Sequence, residues 1–179
     1  MSTTDYFVRQ RPHQSLESLA AYHMDVIAKK AKSGITDGVT LDCMSLVIAL
    51  AFQVEAFMNI AGHLVLKGSW RERDPYHTKL NKLTKRIGLT VDPRDQPYAT
   101  LETLKQVRDQ MAHAKPINTV IAALSDEEAF RAISPTWYAH CQPKFAREAY
   151  DHVCDFKDTV VKAAKLKTSA LLSSVGNLA

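Results

Sequence analysis

The stretch Thr40-Leu41-Asp42-Cys43-Met44-Ser45-Leu46-Val47-Ile48-Ala49-Leu50-Ala51-Phe52-Gln53-Val54-Glu55-Ala56-Phe57-Met58-Asn59-Ile60-Ala61-Gly62-His63-Leu64-Val65-Leu66 decides the fold. Its first half is apolar on nearly every side. That pattern marks a helix surrounded by other helices, because a helix with one wet face shows a polar stripe. The most apolar part, Cys43 to Phe52, is about ten residues long and is followed by Gln53 and Glu55; a membrane-spanning helix needs about 20. The stretch therefore reads as the central helix of a bundle, ended by Gly68.

Amphipathic segments flank it on both sides. Ser15 can cap a helix running to about Lys32, with Leu16, Leu19, His23, Val26 and Ile27 on one side and Gly34 and Gly38 as breaks. Downstream, Tyr76, Leu80, Leu83 and Ile87 mark one face of a helix from about Pro75 to Arg86, stopped by Gly88. After a loop holding Pro93 and Pro97, Leu101, Leu104, Val107 and Met111 form the stripe of a helix from about Ala99 to His113, closed by Pro116. Ser125 with Glu128 makes a capping box for a short helix to about Ile133. A last long helix runs from about Pro143 to Lys165, with Phe145, Ala149, Val153, Phe156 and Val160 inward. No segment alternates convincingly with period two, and no repeat or low-complexity tract is present. The expected fold is all-α: a single-domain bundle of five to six helices over residues 15–167. Residues 1–14 are read as a flexible arm and 168–179 as a flexible tail.

Composition is compatible with that reading. The chain has 179 residues, 46% hydrophobic and 23% charged, enough for a core without covalent staples. A net charge of +4 permits a nucleic-acid partner without requiring one. Three cysteines, Cys43, Cys141 and Cys154, form no Cys-x-x-Cys pair and suit a reducing compartment. The N-terminus has no basic region followed by an apolar one, so no signal peptide is expected. Together these point to a cytoplasmic protein with no membrane partner.

Arg108-Asp109-Gln110-Met111-Ala112-His113 carries the best chemical clue. Arg108 lies at the edge of the apolar stripe, beside Leu104 and Met111, where an arginine usually has a defined partner. Asp109 and His113 are four apart and so neighbours on the helix surface, where a carboxylate can orient an imidazole and favour its cation. His113 also sits in the last turn, where the helix dipole favours positive charge. These conditions suit a general acid or base. Arg108 and His113 are separated by about 140° around the helix, so one chain does not easily converge them, whereas two copies about a two-fold axis can. On spacing alone, a surface histidine at a helix end and an arginine in an ordinary ion pair are the commoner meaning of such a pair, because Arg and His five apart is a frequent accident.

The segment Leu104 to Pro116 resembles the signature of the HEPN superfamily (higher eukaryotes and prokaryotes nucleotide-binding): an arginine, a polar residue beside it, and a histidine a few positions on. Here that is Arg108, Asp109 and, after four intervening residues, His113. The run Leu50 to Asn59 looks like the family's long second helix with its glutamate and asparagine, Glu55 and Asn59. The resemblance covers roughly residues 40 to 116. It implies a helical bundle that dimerises through the motif helices. Many members are metal-independent RNA endonucleases of toxin–antitoxin, phage-defence and RNA-processing systems. In those, the histidine assists attack by the ribose 2′-hydroxyl on the adjacent phosphate, and the arginine stabilises charge on the phosphoryl oxygens. Some members are non-catalytic binding modules.

The expected activity is therefore a homodimeric ribonuclease with an RNA substrate, no cofactor, no metal, and an antitoxin or other protein as a further partner. Arg108, His113 and Asp109 are its catalytic group, Asp109 orienting His113. Glu55 and Asn59, which share a stripe with His63, would support the motif, or else form a polar seam in the core. Lys79, Lys82, Lys85 and Arg86 could follow an RNA backbone, or form the solvated face of an amphipathic helix. A zinc site from His140, Cys141, His152 and Cys154 matches no familiar spacing. The alternatives are a non-catalytic module that binds a protein or nucleotide, and a helical protein in which Arg108 and His113 are structural.

Overall fold

The computed structural model describes residues 6–116 and 134–177, with positions 120, 122, 125, 126, 128 and 129 between them. The expected all-α bundle forms. Its elements are β1 (Tyr6–Arg9), α1 (Pro12–Lys32), α2 (Val39–Leu66), α3 (Tyr76–Arg86), α4 (Tyr98–Ala112), α5 (Pro143–Ala163), α6 (Thr168–Leu171) and β2 (Ser174–Asn177). One-turn 3-10 helices at Lys67–Ser69 and a five-residue one at Thr136–His140 complete the described regular structure. The helix expected from Ser125 to Ile133 lies largely outside the described residues; within them, Ser125 Oγ accepts the Glu128 backbone N–H at 3.2 Å.

The central position of α2 follows from its composition. It packs against α1, α3, α4 and α5. Thirteen of its 28 residues are buried, and they take up more than half of the helix circumference; Leu41 and Phe52, on the remaining face, are 62% and 46% exposed. Leu46, Val47, Leu50, Val54, Phe57 and Met58 are each at most 1% exposed. The segment Val39–Ser69 is long and apolar enough to cross a membrane, with a mean hydropathy of 1.7 over its best window, which counting only Cys43 to Phe52 understates. Much of that apolar surface is spent inside the bundle: 56% of the window is buried.

The stripes of the other helices meet this axis. Tyr76, Leu80 and Leu83 of α3, Leu101, Leu104 and Val107 of α4, and Ala149, Val153, Phe156 and Val160 of α5 are all buried. Phe156 meets Phe57 edge-on, with centroids 6.0 Å apart. The face of α1 differs from expectation. Leu19 is 44% exposed, and the buried line is His13, Ala20 and Ile27, seven residues apart. A small alanine at the contact lets α1 approach α2, which the larger Leu19 would prevent. The helix also begins before Ser15. Pro12, whose φ is already helical, occupies the first turn, and no side chain caps it.

The segments read as an arm and a tail meet each other. β1 and β2 pair antiparallel, Phe7 opposite Gly176 and Val8 opposite Val175. Ser173 ties this ribbon to α1: its Oγ accepts the Arg11 N–H at 3.0 Å and its own N–H donates to Gln14 Oε1 at 2.7 Å.

Gly62 is required by a close approach. A Cβ placed there would overlap the indole of Trp70, which is 6% exposed. Alanine is otherwise the better helix former by about 1 kcal/mol, so the sign of Gly62→Ala is informative. The overlap should dominate, and Gly62→Ala should lower unfolding free energy in urea by about 1–3 kcal/mol, as overpacking does. An unchanged or raised stability would place the Trp70 ring elsewhere in solution.

Candidate functional site

Glu55 is on the third quarter of α2, Lys79 on α3 and Arg108 on α4, and the fold brings them together. Lys79 Nζ donates to Glu55 Oε1 at 2.5 Å and to the Glu72 carbonyl at 3.3 Å. Arg108 Nη1 donates to Glu55 Oε2. One carboxylate thus holds one cation on each oxygen. The second carboxylate of the cluster is Asp109. Its Oδ1 accepts from Arg108 Nε at 3.0 Å and Nη2 at 2.7 Å, and its Oδ2 accepts from Lys105 Nζ at 3.0 Å.

The electrostatics follow from these contacts. Burial alone would raise the Glu55 carboxyl, but hydrogen bonds and charge from Lys79 and Arg108 hold it below the ordinary carboxylate value. Asp109 is also held low: the bonds from Arg108 and Lys105 outweigh its burial. Arg108 is burdened by burial yet more firmly protonated through Asp109 and Glu55. The Tyr76 hydroxyl is buried beside the cluster without a hydrogen-bond partner, and its ionisation is pushed far up by burial and by the charge of Glu102.

Two expected roles need correction. Lys79 is 1% exposed, so it does not belong to a solvent-facing basic surface; it is the buried counter-ion of Glu55. Of the four basic residues assigned to RNA, Lys82 is exposed and bonded to Asp74 at 2.6 Å, and Lys85 and Arg86 are exposed. Asp109 does not orient the His113 ring. Its two oxygens face Arg108 and Lys105, and its link to His113 is through the backbone: the His113 N–H donates to the Asp109 carbonyl at 3.0 Å. The physical reason is competition, since a guanidinium on the adjacent residue offers a two-pronged, fully charged partner that an imidazole four residues away does not.

His113 itself is the exposed residue that closes α4. Asn59, one turn beyond Glu55, is half-buried, and its Oδ1 has no hydrogen-bond partner. His63, next on that stripe, is bonded to Glu72 at 2.7 Å. The stripe is therefore divided, with only Glu55 joined to the motif. The residues missed in the sequence are Lys105 and the pairing role of Lys79. Lys105 was legible as an i, i+4 partner of Asp109; Lys79 required knowing that α3 and α4 flank Glu55.

Among the described residues no group of three metal-ligating side chains forms. His152 Nδ1 is hydrogen-bonded to Thr100 Oγ1 at 2.8 Å, and Cys141 is buried.

Comparison with family models, characterised proteins and solved structures finds no match to this chain.

The two depressed carboxylates set an acid limit. A carboxyl whose folded pKa lies below its unfolded value stabilises fully above the unfolded value, about 4 for Asp and Glu, and loses that contribution as pH falls through the folded value. Unfolding free energy should therefore drop between about pH 5 and pH 3. Asp109→Asn should flatten the slope by less than one proton, under about 1.4 kcal/mol per pH unit. An identical slope in wild type and variant would remove Asp109 from the network.

Proposed function

We propose that the chain is a metal-independent RNA endonuclease of HEPN type that works as a homodimer, with Arg108 and His113 of each copy at a shared cleft. The observation that carries this reading is the state of Arg108. Its side chain is 19% exposed, and its Nε, one N–H of Nη1 and one of Nη2 are engaged by Asp109 and Glu55. A guanidinium has five N–H groups. One on each terminal nitrogen remains, a spacing suited to two oxygens of one phosphate. The carboxylates fix the fork, so little entropy is lost when phosphate binds. The exposed His113 ends the same helix, free to meet a substrate or a second copy.

In this mechanism the ribose 2′-oxygen forms a bond to phosphorus while the bond from phosphorus to the 5′-oxygen breaks. One His113 accepts the 2′-hydroxyl proton, and the second donates a proton to the leaving oxygen. Arg108 stabilises negative charge on the non-bridging oxygens. Glu55 and Asp109 act on Arg108 as positioning residues. The toxin–antitoxin or phage-defence setting belongs to the same proposal, as does an antitoxin partner.

A second reading, a non-catalytic module that binds a protein or a nucleotide, is favoured by one specific observation. Two carboxylates surround Arg108 and offset its charge, and neither orients His113.

Incubating single-stranded RNA with the protein in excess chelator separates the two. The enzyme reading predicts fragments ending in 2′,3′-cyclic phosphate and 5′-hydroxyl, no cutting of DNA, and a rate about 10²- to 10⁴-fold lower in His113→Ala. It also predicts a dimer by light scattering. Full activity in His113→Ala, or intact RNA with the wild-type protein, would defeat it.

A further inference from the structure

Away from the Glu55 cluster, a cavity of about 290 Å³ lies between α1, α5 and α6, with Phe57 of α2 at its base. That volume is at the lower end for small-molecule sites. Val161, Leu171 and Leu172 supply apolar walls, and the bonds of Ser173 to Arg11 and Gln14 hold the C-terminal wall in place.

The polar groups at this cavity are unusual for a packing defect. His13 is 3% exposed, and its Nδ1 is buried with no hydrogen-bond partner. An unpaired buried polar atom costs about 1–3 kcal/mol, so a site that keeps one has a use for it or a partner to come. Lys157 also lines the cavity; its side chain is 14% exposed and its ammonium bonds Glu17 at 2.5 Å. That leaves two of its three N–H groups.

The free donors at the cavity decide the ligand. His13 is pushed toward its neutral form by burial first and by the charge of Lys157 second; Glu17 opposes with a smaller effect and Arg11 adds to Lys157. Of the two carboxylates in the lining, Glu17 is already engaged by Lys157 and Asp158 is exposed at the rim. An anion set between His13 and Lys157 meets the two remaining N–H groups of the ammonium, whereas a cation there faces its charge.

We infer that this cavity binds a small organic monocarboxylate, its carboxylate held by His13 and Lys157 and its apolar body against Phe57, Val161 and Leu172. Neutral His13 donates one N–H to the carboxylate, and Lys157 keeps its bond to Glu17 while donating another. The ligand would link α1, α5 and the C-terminal segment.

The test uses the full chain with sodium hexanoate as probe and hexylamine as the charge-reversed control of equal length. Calorimetry gives affinity, and NMR of the histidine rings, with His13 assigned through His13→Gln, gives location. Saturable hexanoate binding that moves the His13 signals is expected, with no comparable binding of hexylamine. Lys157→Met, and independently Leu172→Asp at the exposed wall, should each weaken hexanoate about tenfold or more, equivalent to about 1.4 kcal/mol, while the helical circular dichroism stays intact. Hexylamine binding as well as hexanoate, binding that leaves the His13 signals unmoved, affinity unchanged in both variants, or no saturable binding would overturn the inference. None of these outcomes depends on whether the protein cuts RNA.

Discussion

One carboxylate, that of Glu55, lets a lysine be buried and an arginine be held still. Lys79 has only 1% of its side chain exposed, a state that costs several kcal/mol for an ammonium without a counter-ion. Glu55 meets that need with one oxygen and uses the other for Arg108. Three successive helices, α2, α3 and α4, are thereby joined at one point through residues far apart in sequence. The surrounding core is apolar and would tolerate some sliding of α3 and α4 along α2; a two-sided ion bridge does not. The conformation of the motif arginine is therefore a consequence of how the bundle packs.

The bundle itself is organised by apolar surface. α2 is apolar around most of its circumference, so other helices must cover most of it, and α1, α3, α4 and α5 do so with stripes of matching period, leaving the face of Leu41 and Phe52 exposed. Small residues are fully buried in these contacts, Ala20 on α1 and Ala146 and Ala149 on α5, and Gly62 admits the ring of Trp70. The short ribbon of β1 and β2 then binds the two ends of the described chain to each other, beside α1, and the C-terminal segment becomes the wall of the His13 cavity.

How much of this was legible depended on the range of the interaction. The helices were readable to within three residues at their N-terminal ends because apolar periodicity and proline act locally: α3 begins at Tyr76 after Pro75, and α5 at Pro143. The stripes of α3, α4 and α5 were readable for the same reason. The face of α1 was not, because periodicity ranks residues by hydrophobicity while contact with α2 selected for small size at Ala20 over Leu19. At the site, the expectation that Arg108 has a defined partner holds, and its link to Glu55 is in place. The orientation of His113 by Asp109 was a local inference defeated by a local competitor, the adjacent guanidinium. The burial of Lys79 was beyond any local rule. A basic residue among basic residues reads as surface until the opposing carboxylate is known, and that carboxylate lies 24 positions away.

The claim that Glu55 is what permits Lys79 to be buried can be measured directly by a double-mutant cycle in urea. Glu55→Gln alone strands a buried ammonium and should cost about 3 kcal/mol or more. Lys79→Met, of similar length and apolar, removes that charge. The double variant should recover much of the loss, giving a coupling of about 2 kcal/mol within the range seen for contacting groups. Costs that simply add, with no coupling between the two positions, would contradict the account.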